Sequence, residues 1–344
     1  MNPSGGATRL LARTFRILVR ITVAAGLTTY ILWKSHPRGV LAAAVGADWR
    51  PMAVAVLLVL IDRSLMAYRW VLLLSVVDPS ERPPLAAVMR IFFVSTFVGT
   101  FLPAGIGGDA VRAYSIAKLN VRGGDAVASV LMDRILGVAS ILVMALVGLT
   151  LVRDLASNWS IVASLASAAA VCIVTLLLIF SRRTTAAAST LVARLPATLQ
   201  HAGQRVLESI RRYAAYHGRL ANVLACSVAV QGLRIVQAYY LGRGLGIGAS
   251  LSTYFAFIPL ILLVMMLPVT FNGIGTGQAA FVWFFARAGV PAATAFALSV
   301  LFVALGIVGN LPGGILYVLG KVRLKPDTTR GPEDPAQAGH DRRY

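Results

Sequence analysis

The chain has 344 residues, 58% of them hydrophobic and 13% charged, with a mean hydropathy of +0.77. Apolar runs of about 20 residues recur along it, which excludes an ordinary soluble enzyme and points to a polytopic membrane protein. The formal charge of +19 is carried by short loops and tails between those runs. It therefore reads as positive loops held at the cytoplasmic face, with attraction to anionic headgroups as a secondary use, and not as a nucleic-acid surface.

Eight apolar segments are expected, at 15–33, 52–77, 85–102, 125–152, 160–180, 220–242, 252–270 and 294–319. Arg9, Arg13 and Arg16 precede the apolar stretch from Ile17 to Trp33. The run from Ile17 to Trp33 is long for a signal h-region, so a retained first helix is expected. The second segment carries Asp62-Arg63, with Arg69 seven residues on along the same helical face. Neighbours on a helix point about 100° apart, so each member of the dipeptide is expected to seek a partner on another helix. Asp62 and Arg63 read as interhelical ion pairs, and Arg69 as a side chain snorkelling to the cytoplasmic surface. Trp33, Trp49, Trp70 and Trp159 lie near segment ends and read as interfacial belt residues.

The third segment ends in a glycine-rich break, LPAGIGGDAVRAY, from Leu102 to Tyr114. The seventh ends in a similar one, LPVTFNGIGTGQAAF, from Leu267 to Phe281. Lipid cannot satisfy free backbone N–H and C=O groups, so such breaks are tolerated only where they are buried in protein or line a wet cavity. Two of them, one in each half, point to a transporter site at the bilayer midplane.

In the first break, Gly105, Gly107 and Gly108 would let the backbone approach a ligand. Asp109 would be the N-cap of the helix that follows. Arg112, three residues on, would add a forked donor matched to phosphate. The alternative is an Asp–Arg pair that only closes the hairpin. In the second break, Gly273, Gly275, Gly277 and Gln278 offer backbone groups for a neutral glycerol or sugar portion, or simply allow close helix packing.

The fourth segment holds Asp133-Arg134, read as either a charged lining of a headgroup path or a structural ion pair. The stretch 181–219 is polar and basic, and its part from Thr198 to Tyr216 forms an amphipathic surface helix with Val206, Leu207, Ile210 and Tyr213 on one side. In the sixth segment Gln231, Arg234 and Gln237 make a polar stripe that faces protein or a cavity, with Arg234 a further candidate for headgroup contact. The tail 321–344 has no periodicity and is expected to be disordered and cytoplasmic.

Cys172, Cys226 and the four histidines have neither disulfide nor metal spacing, so no metal or other cofactor is expected. No GxxxxGK[ST] loop is present, so ATP hydrolysis by this chain is not expected.

Topology follows from the basic residues. If all eight segments cross, the strongly basic 181–219 stretch falls outside with most of the Lys and Arg, against the positive-inside rule. If the two glycine-broken segments are re-entrant hairpins, the balance reverses strongly. The expected fold is therefore all-α, with about six transmembrane helices plus two opposed re-entrant hairpins in an inverted-repeat-like arrangement. Both termini and the 181–219 loop would be cytoplasmic.

Taken together, Asp-Ala-Val-Arg (109–112), Asp-Arg-Ile-Leu-Gly (133–137) and Leu-Pro…Gly-Ile-Gly…Gln (267–278) resemble the flippase-like membrane region of lysylphosphatidylglycerol synthases, over about residues 10–320. That region also occurs alone as an integral membrane family. In the family the first motif commonly has Glu where Asp109 stands, and the second usually ends in Glu where this chain has Gln278. Gln278 has no charge and no titratable proton. The synthases' aminoacyltransferase domain is not seen after the last apolar run, so residues 1–320 are expected to be a flippase-like domain.

The resemblance implies lipid translocation without lipid aminoacylation. Together with the phosphate-matched donors of the first break, the expectation is a non-enzymatic transporter of the inner membrane, moving an anionic phospholipid or a lipid-linked aminoacyl or polyprenyl phosphate. Its site would draw on Gly105, Gly107, Gly108, Asp109, Arg112, Asp133, Arg134, Arg234, Gly273, Gly275, Gly277 and Gln278. The expected partners are membrane lipids and no nucleic acid. The alternatives are a membrane-embedded transferase for a lipid-linked substrate, or a non-catalytic partner of a lipid-synthesis enzyme.

Overall fold

The computed structural model describes residues 35, 37–77, 84–102, 106–119, 121–151, 159–180, 197–214, 216–266, 270 and 273–319, with isolated positions from 22 to 33. The expectations for the first apolar segment, for most of 181–196 and for the tail fall outside these residues.

Among the described residues every element is helical: α1 (Pro37–Val45), α2 (Trp49–Val77), α3 (Leu85–Phe101), α4 (Ile106–Ala117), α5 (Gly123–Leu151), α6 (Trp159–Phe180), α7 (Ala197–Ala214), α8 (His217–Gly244), α9 (Leu251–Met266), α10 (Thr276–Ala286) and α11 (Ala292–Leu319). α2, α5, α8 and α11 are long and apolar enough to cross a membrane, and α3 and α9 are shorter apolar helices. The protein is a multi-pass, all-helical membrane protein. α1 lies in a stretch read from the sequence as loop. Pro37 sits at its first position, where the missing N–H is harmless, and an Ala-rich run follows.

The order long, short, short, long occurs twice. α2, α3, α4 and α5 have 29, 17, 12 and 29 residues, and α8, α9, α10 and α11 have 28, 16, 11 and 28. At 1.5 Å per residue the long helices reach about 43 Å, more than a hydrocarbon core of about 30 Å, whereas the short ones reach only about 16–26 Å. The short helices come in adjacent pairs. α3 packs on α4 and α9 on α10.

Each short pair also packs on the long helix of the other set, α3 on α11 and α9 on α5. Both contacts use a glycine against a phenylalanine carbonyl. A Cβ on Gly313 would collide with Phe93 O, and one on Gly148 with Phe255 O. α2 and α8 run antiparallel side by side. Asp48 N–H donates to Gly244 O at 2.8 Å at one end, Gln237 Nε2 to Leu58 O at 3.3 Å within, and Arg219 Nη1 to Ser75 O at 3.0 Å at the other.

Three apolar clusters hold the bundle. The largest joins Val59, Leu142, Ile235, Tyr254, Phe281 and Phe285, with many neighbours from α9 to α11. The second gathers Leu73, Met132, Tyr213 and Val223, and the third Trp70, Val88, Phe92 and Ile116. Trp70 is fully buried and its indole N–H donates to Ser129 Oγ at 3.3 Å, so it is a core residue and not a belt residue. It misleads because it lies seven residues before the end of a helix long enough to carry that level well inside. Trp33, Trp49 and Trp159 are exposed, as an interfacial belt requires.

α7 is the amphipathic helix expected in the basic stretch. It is tied to the start of α5 by Arg212 Nη2 donating to Asp125 Oδ1 at 2.6 Å and by Ser209 Oγ donating to the same oxygen. Tyr213 Oη donates to Leu73 O at 3.0 Å. Burial pushes the Tyr213 phenol well above its ordinary pKa, with the Asp125 and Asp133 carboxylates adding to the effect, so it stays a neutral donor.

Candidate functional site

The first hairpin is closed by glycine. A Cβ on Gly99 would sit 2.9 Å from Gly108 Cα, and one on Gly108 would sit 2.9 Å from Ser95 O. A Cβ on Gly107 would collide with Leu102. The side-chain directions of Gly107 and Gly108 are thus filled by α3 and its end, and Gly105 lies outside the described residues. α4 starts at Ile106, so Asp109 is already inside it and is not the N-cap expected from the sequence.

The Asp109 carboxylate turns sideways instead. It accepts from Arg112 Nη2 at 3.2 Å and from Arg134 Nε at 2.6 Å. Arg112 Nη1 donates to Asp133 Oδ2 at 3.2 Å, and Asp133 Oδ1 lies 2.6 Å from Arg69 Nη2. Arg69 Nη1 donates to Ser227 Oγ on α8 at 3.0 Å. An alternating chain results: Arg134, Asp109, Arg112, Asp133, Arg69. It draws on α5, α4 and α2 and, among the described residues, carries three cations against two anions.

The chain runs from an exposed end to a buried one. The side chain of Arg134 is 53% exposed, while those of Arg112, Asp133 and Arg69 are 7%, 5% and 4% exposed. The Arg112 guanidinium also lies over the Phe92 ring at 4.9 Å and the Trp70 ring at 5.3 Å. A cation desolvated between two aromatic faces gains roughly 2 kcal/mol from such contacts. Arg69 does not snorkel to the surface. Asp133 holds it inside, because an unpaired buried carboxylate costs more than the entropy of fixing the long side chain.

A second charged level lies two helical turns away along α2 and α8. Arg63 Nη1 donates to Asp62 Oδ2 at 3.1 Å, and Arg234 Nε lies 3.6 Å from Asp62 Oδ1. Arg234 Nη1 donates to Gln231 Oε1 at 3.4 Å, and Gln231 Nε2 donates to Ser140 Oγ at 3.3 Å. The expectation that Asp62 and Arg63 do not meet fails, because the long Arg63 side chain folds back along the helix surface. Asp62 does find a partner on another helix in Arg234. The stripe of Gln231, Arg234 and Gln237 faces protein, as expected.

Seven residues separate Asp62 from Arg69 on α2, and seven separate Ser227 from Arg234 on α8. The two levels are therefore about 10 Å apart along the bundle. That shared interval of seven, in two segments with opposite direction, was the signal that could have placed Arg69 and Ser227 in the site. Met66, Phe92 and Ser140 carried no comparable signal.

The second hairpin is chemically different. Gly273 and Gly275 have φ of 73° and 91°, left-handed values that favour glycine. Cβ atoms on Gly273 and Gly277 would press on Met265, 2.8 Å from its carbonyl oxygen and 3.0 Å from its Cγ. Gln278 is buried, and its Oε1 accepts from the Gly275 N–H, the return half of a capping box. Around it lie Phe281, Phe284 and Phe285. The first hairpin's charges and the second hairpin's glycines are thus not brought into one cluster. Among the described residues, no three His, Cys, Asp or Glu side chains come together to hold a metal.

No curated protein matches the chain. A family model described as the lysylphosphatidylglycerol synthase TM region matches residues 17–313. That span takes in both hairpins, both charged levels and all four long apolar helices but for the last residues of α11, and the chain belongs to this family.

Proposed function

We propose that the protein is a lipid translocase of the cytoplasmic membrane, moving an amphiphile with an anionic phosphate headgroup. α3–α4 and α9–α10 are re-entrant hairpins entering from opposite faces, and α2–α5 and α8–α11 form an inverted repeat. The repeat is supported by the matched helix lengths, the exchanged packing of α3 on α11 and α9 on α5, and the antiparallel α2–α8 pair. The end of α2 and the starts of α5 and α8 meet the basic α7, so the positive-inside rule puts that end in the cytoplasm. Residues 1–320 would form the translocating domain, with both termini cytoplasmic.

The observation that carries the reading is the alternating chain from exposed Arg134 to buried Arg69. A lone charge at the centre of a bilayer costs at least about 2.5–3.5 kcal/mol, so five charges on three packed helices are not a passive feature of a membrane bundle. Their excess positive charge suits a phosphate. Arg134 is accessible, and a headgroup phosphate can compete with Asp109 for it and then for Arg112. The acyl or prenyl chain stays in the bilayer while the hairpins rock.

The test is translocation in proteoliposomes, with labelled phosphatidylglycerol, phosphatidate and polyprenyl phosphate. Wild type is compared with Arg134→Gln, which leaves the buried pairs of Arg112, Asp133 and Arg69 in place, and with Arg112→Lys. We expect one lipid class to move, at least tenfold more slowly in both variants. No movement of any lipid by folded wild type would overturn the reading and favour a partner or transferase role. Equal movement by all three proteins would remove the charged chain from the path.

A further inference from the structure

At the second charged level, two guanidinium groups from different helices converge on one thioether. Arg63 Nη1 and Arg234 Nη2 each lie 3.3 Å from Met66 Sδ. A thioether is a weak acceptor, and apart from the Arg63 Nη1 to Asp62 Oδ2 contact at 3.1 Å the other partners here are distant. Arg63 Nη2 reaches Gly306 O at 3.4 Å, and Arg234 Nε stands 3.6 Å from Asp62 Oδ1. Arg63 Nε and Asp62 Oδ1 are buried without a hydrogen bond, and the Asp62 side chain is only 1% exposed. At the Arg69 level, by contrast, the carboxylate–guanidinium approach is 2.6 Å. Among the described residues this cluster holds two cations, one anion and a sulfur where an oxygen acceptor would satisfy both arginines.

The geometry points to a second oxyanion station formed by Arg63 and Arg234, in which Met66 Sδ holds the place of an oxygen of a phosphate monoester or diester. Methionine suits this part. It is unbranched, turns about three side-chain bonds and fills space without fixing it, so it can leave when a stronger acceptor arrives. The incoming oxygen would take two charge-assisted hydrogen bonds in place of two contacts to sulfur and would balance the excess cation. Gly306 and Gly309 on α11 leave room for the Arg63 side chain; a Cβ on Gly309 would sit 3.3 Å from Arg63 Nε. The station lies near the middle of both α2 and α8, about 10 Å from the level of Arg69. It deepens the transport reading and rests on it: the headgroup would pass from the Arg134 end to this mid-membrane stop.

Binding is measured on the full chain in lipid-free maltoside micelles, with dioleoylphosphatidylglycerol, inorganic phosphate and, as a phosphate-free control, dioleoylglycerol. Folding of each variant is checked by size exclusion and thermal midpoint. Met66→Ala opens the place held by sulfur and should tighten phosphatidylglycerol severalfold. Met66→Glu supplies an internal carboxylate, and Arg234→Gln removes one arm; each should weaken it at least tenfold. Inorganic phosphate binding with the same variant pattern and equal affinity would assign the station to free phosphate, and lipid binding alone would assign it to a headgroup. Folded Met66→Glu and Arg234→Gln proteins that bind as wild type, or a wild type that binds neither probe, would overturn the station. Translocation by the same proteins separates the two ideas. Undiminished transport by both variants sinks the station alone, while no transport by wild type sinks the transport reading.

Discussion

The two hairpins have nearly the same helix lengths and the same exchanged packing, yet they are built from opposite chemistry. α4 carries Asp109 and Arg112 into a chain of five charges, whereas α10 carries Gln278 and a cluster of phenylalanines. Both use glycine to bring helices together, Gly99 and Gly108 in one and Gly273 and Gly277 in the other. Glycine is therefore the shared mechanical element, and charge is particular to the first. Two sets of helices with matched lengths thus carry one charged and one apolar short pair.

The comparison breaks most readily at Asp133, which faces both Arg112 and Arg69. Asp133→Asn strands two buried guanidinium groups and should cost about 3–5 kcal/mol, read as the largest fall in thermal midpoint in detergent. Adding Arg69→Gln should recover part of it, and a double variant no better than the single would break the ion-pair account. The glycines come next. Gly108→Ala presses on Ser95 O, and Gly273→Ala adds a strained φ to a clash with Met265 O. Each should destabilise by about 1–3 kcal/mol, so a large effect in only one hairpin would end the claim of a shared mechanical element. Gln278→Leu leaves the Gly275 N–H without its acceptor and should cost about 1 kcal/mol by thermal unfolding while sparing lipid binding. Loss of binding there would move a site into the second hairpin. Smallest in stability is Arg134→Gln, under about 1 kcal/mol because that end of the chain is exposed. Its effect on transport should be large, and the contrast between the two readouts sharpens the division between gripping and holding.

Much of the frame was legible in the residues. Apolar length marked the long helices, and Leu-Pro followed by Gly-Ile-Gly marked both hairpins. The amphipathic spacing of Val206, Leu207 and Tyr213 marked α7. Asp109, Arg112, Asp133 and Arg134 were legible as a group because charge is rare at membrane depth, and the fold does bring them together. Arg69 and Trp70 were misread because helix length alone does not say at which depth a residue lies, nor what faces it. Gln278 was legible only as a polar residue of the second break, a candidate contact or a packing element, and the bond from the Gly275 N–H to its side chain was not.

The sequence by itself determined that the chain is a multi-pass helical membrane protein, where its helices break and which charges are costly enough to need partners, since these follow from lipid's inability to solvate backbone and ions. Only the tertiary structure decided who those partners are. Pairing joins residues more than a hundred positions apart, such as Arg69 with Ser227 and Asp62 with Arg234, and no local pattern encodes the rotation and depth at which two helices meet.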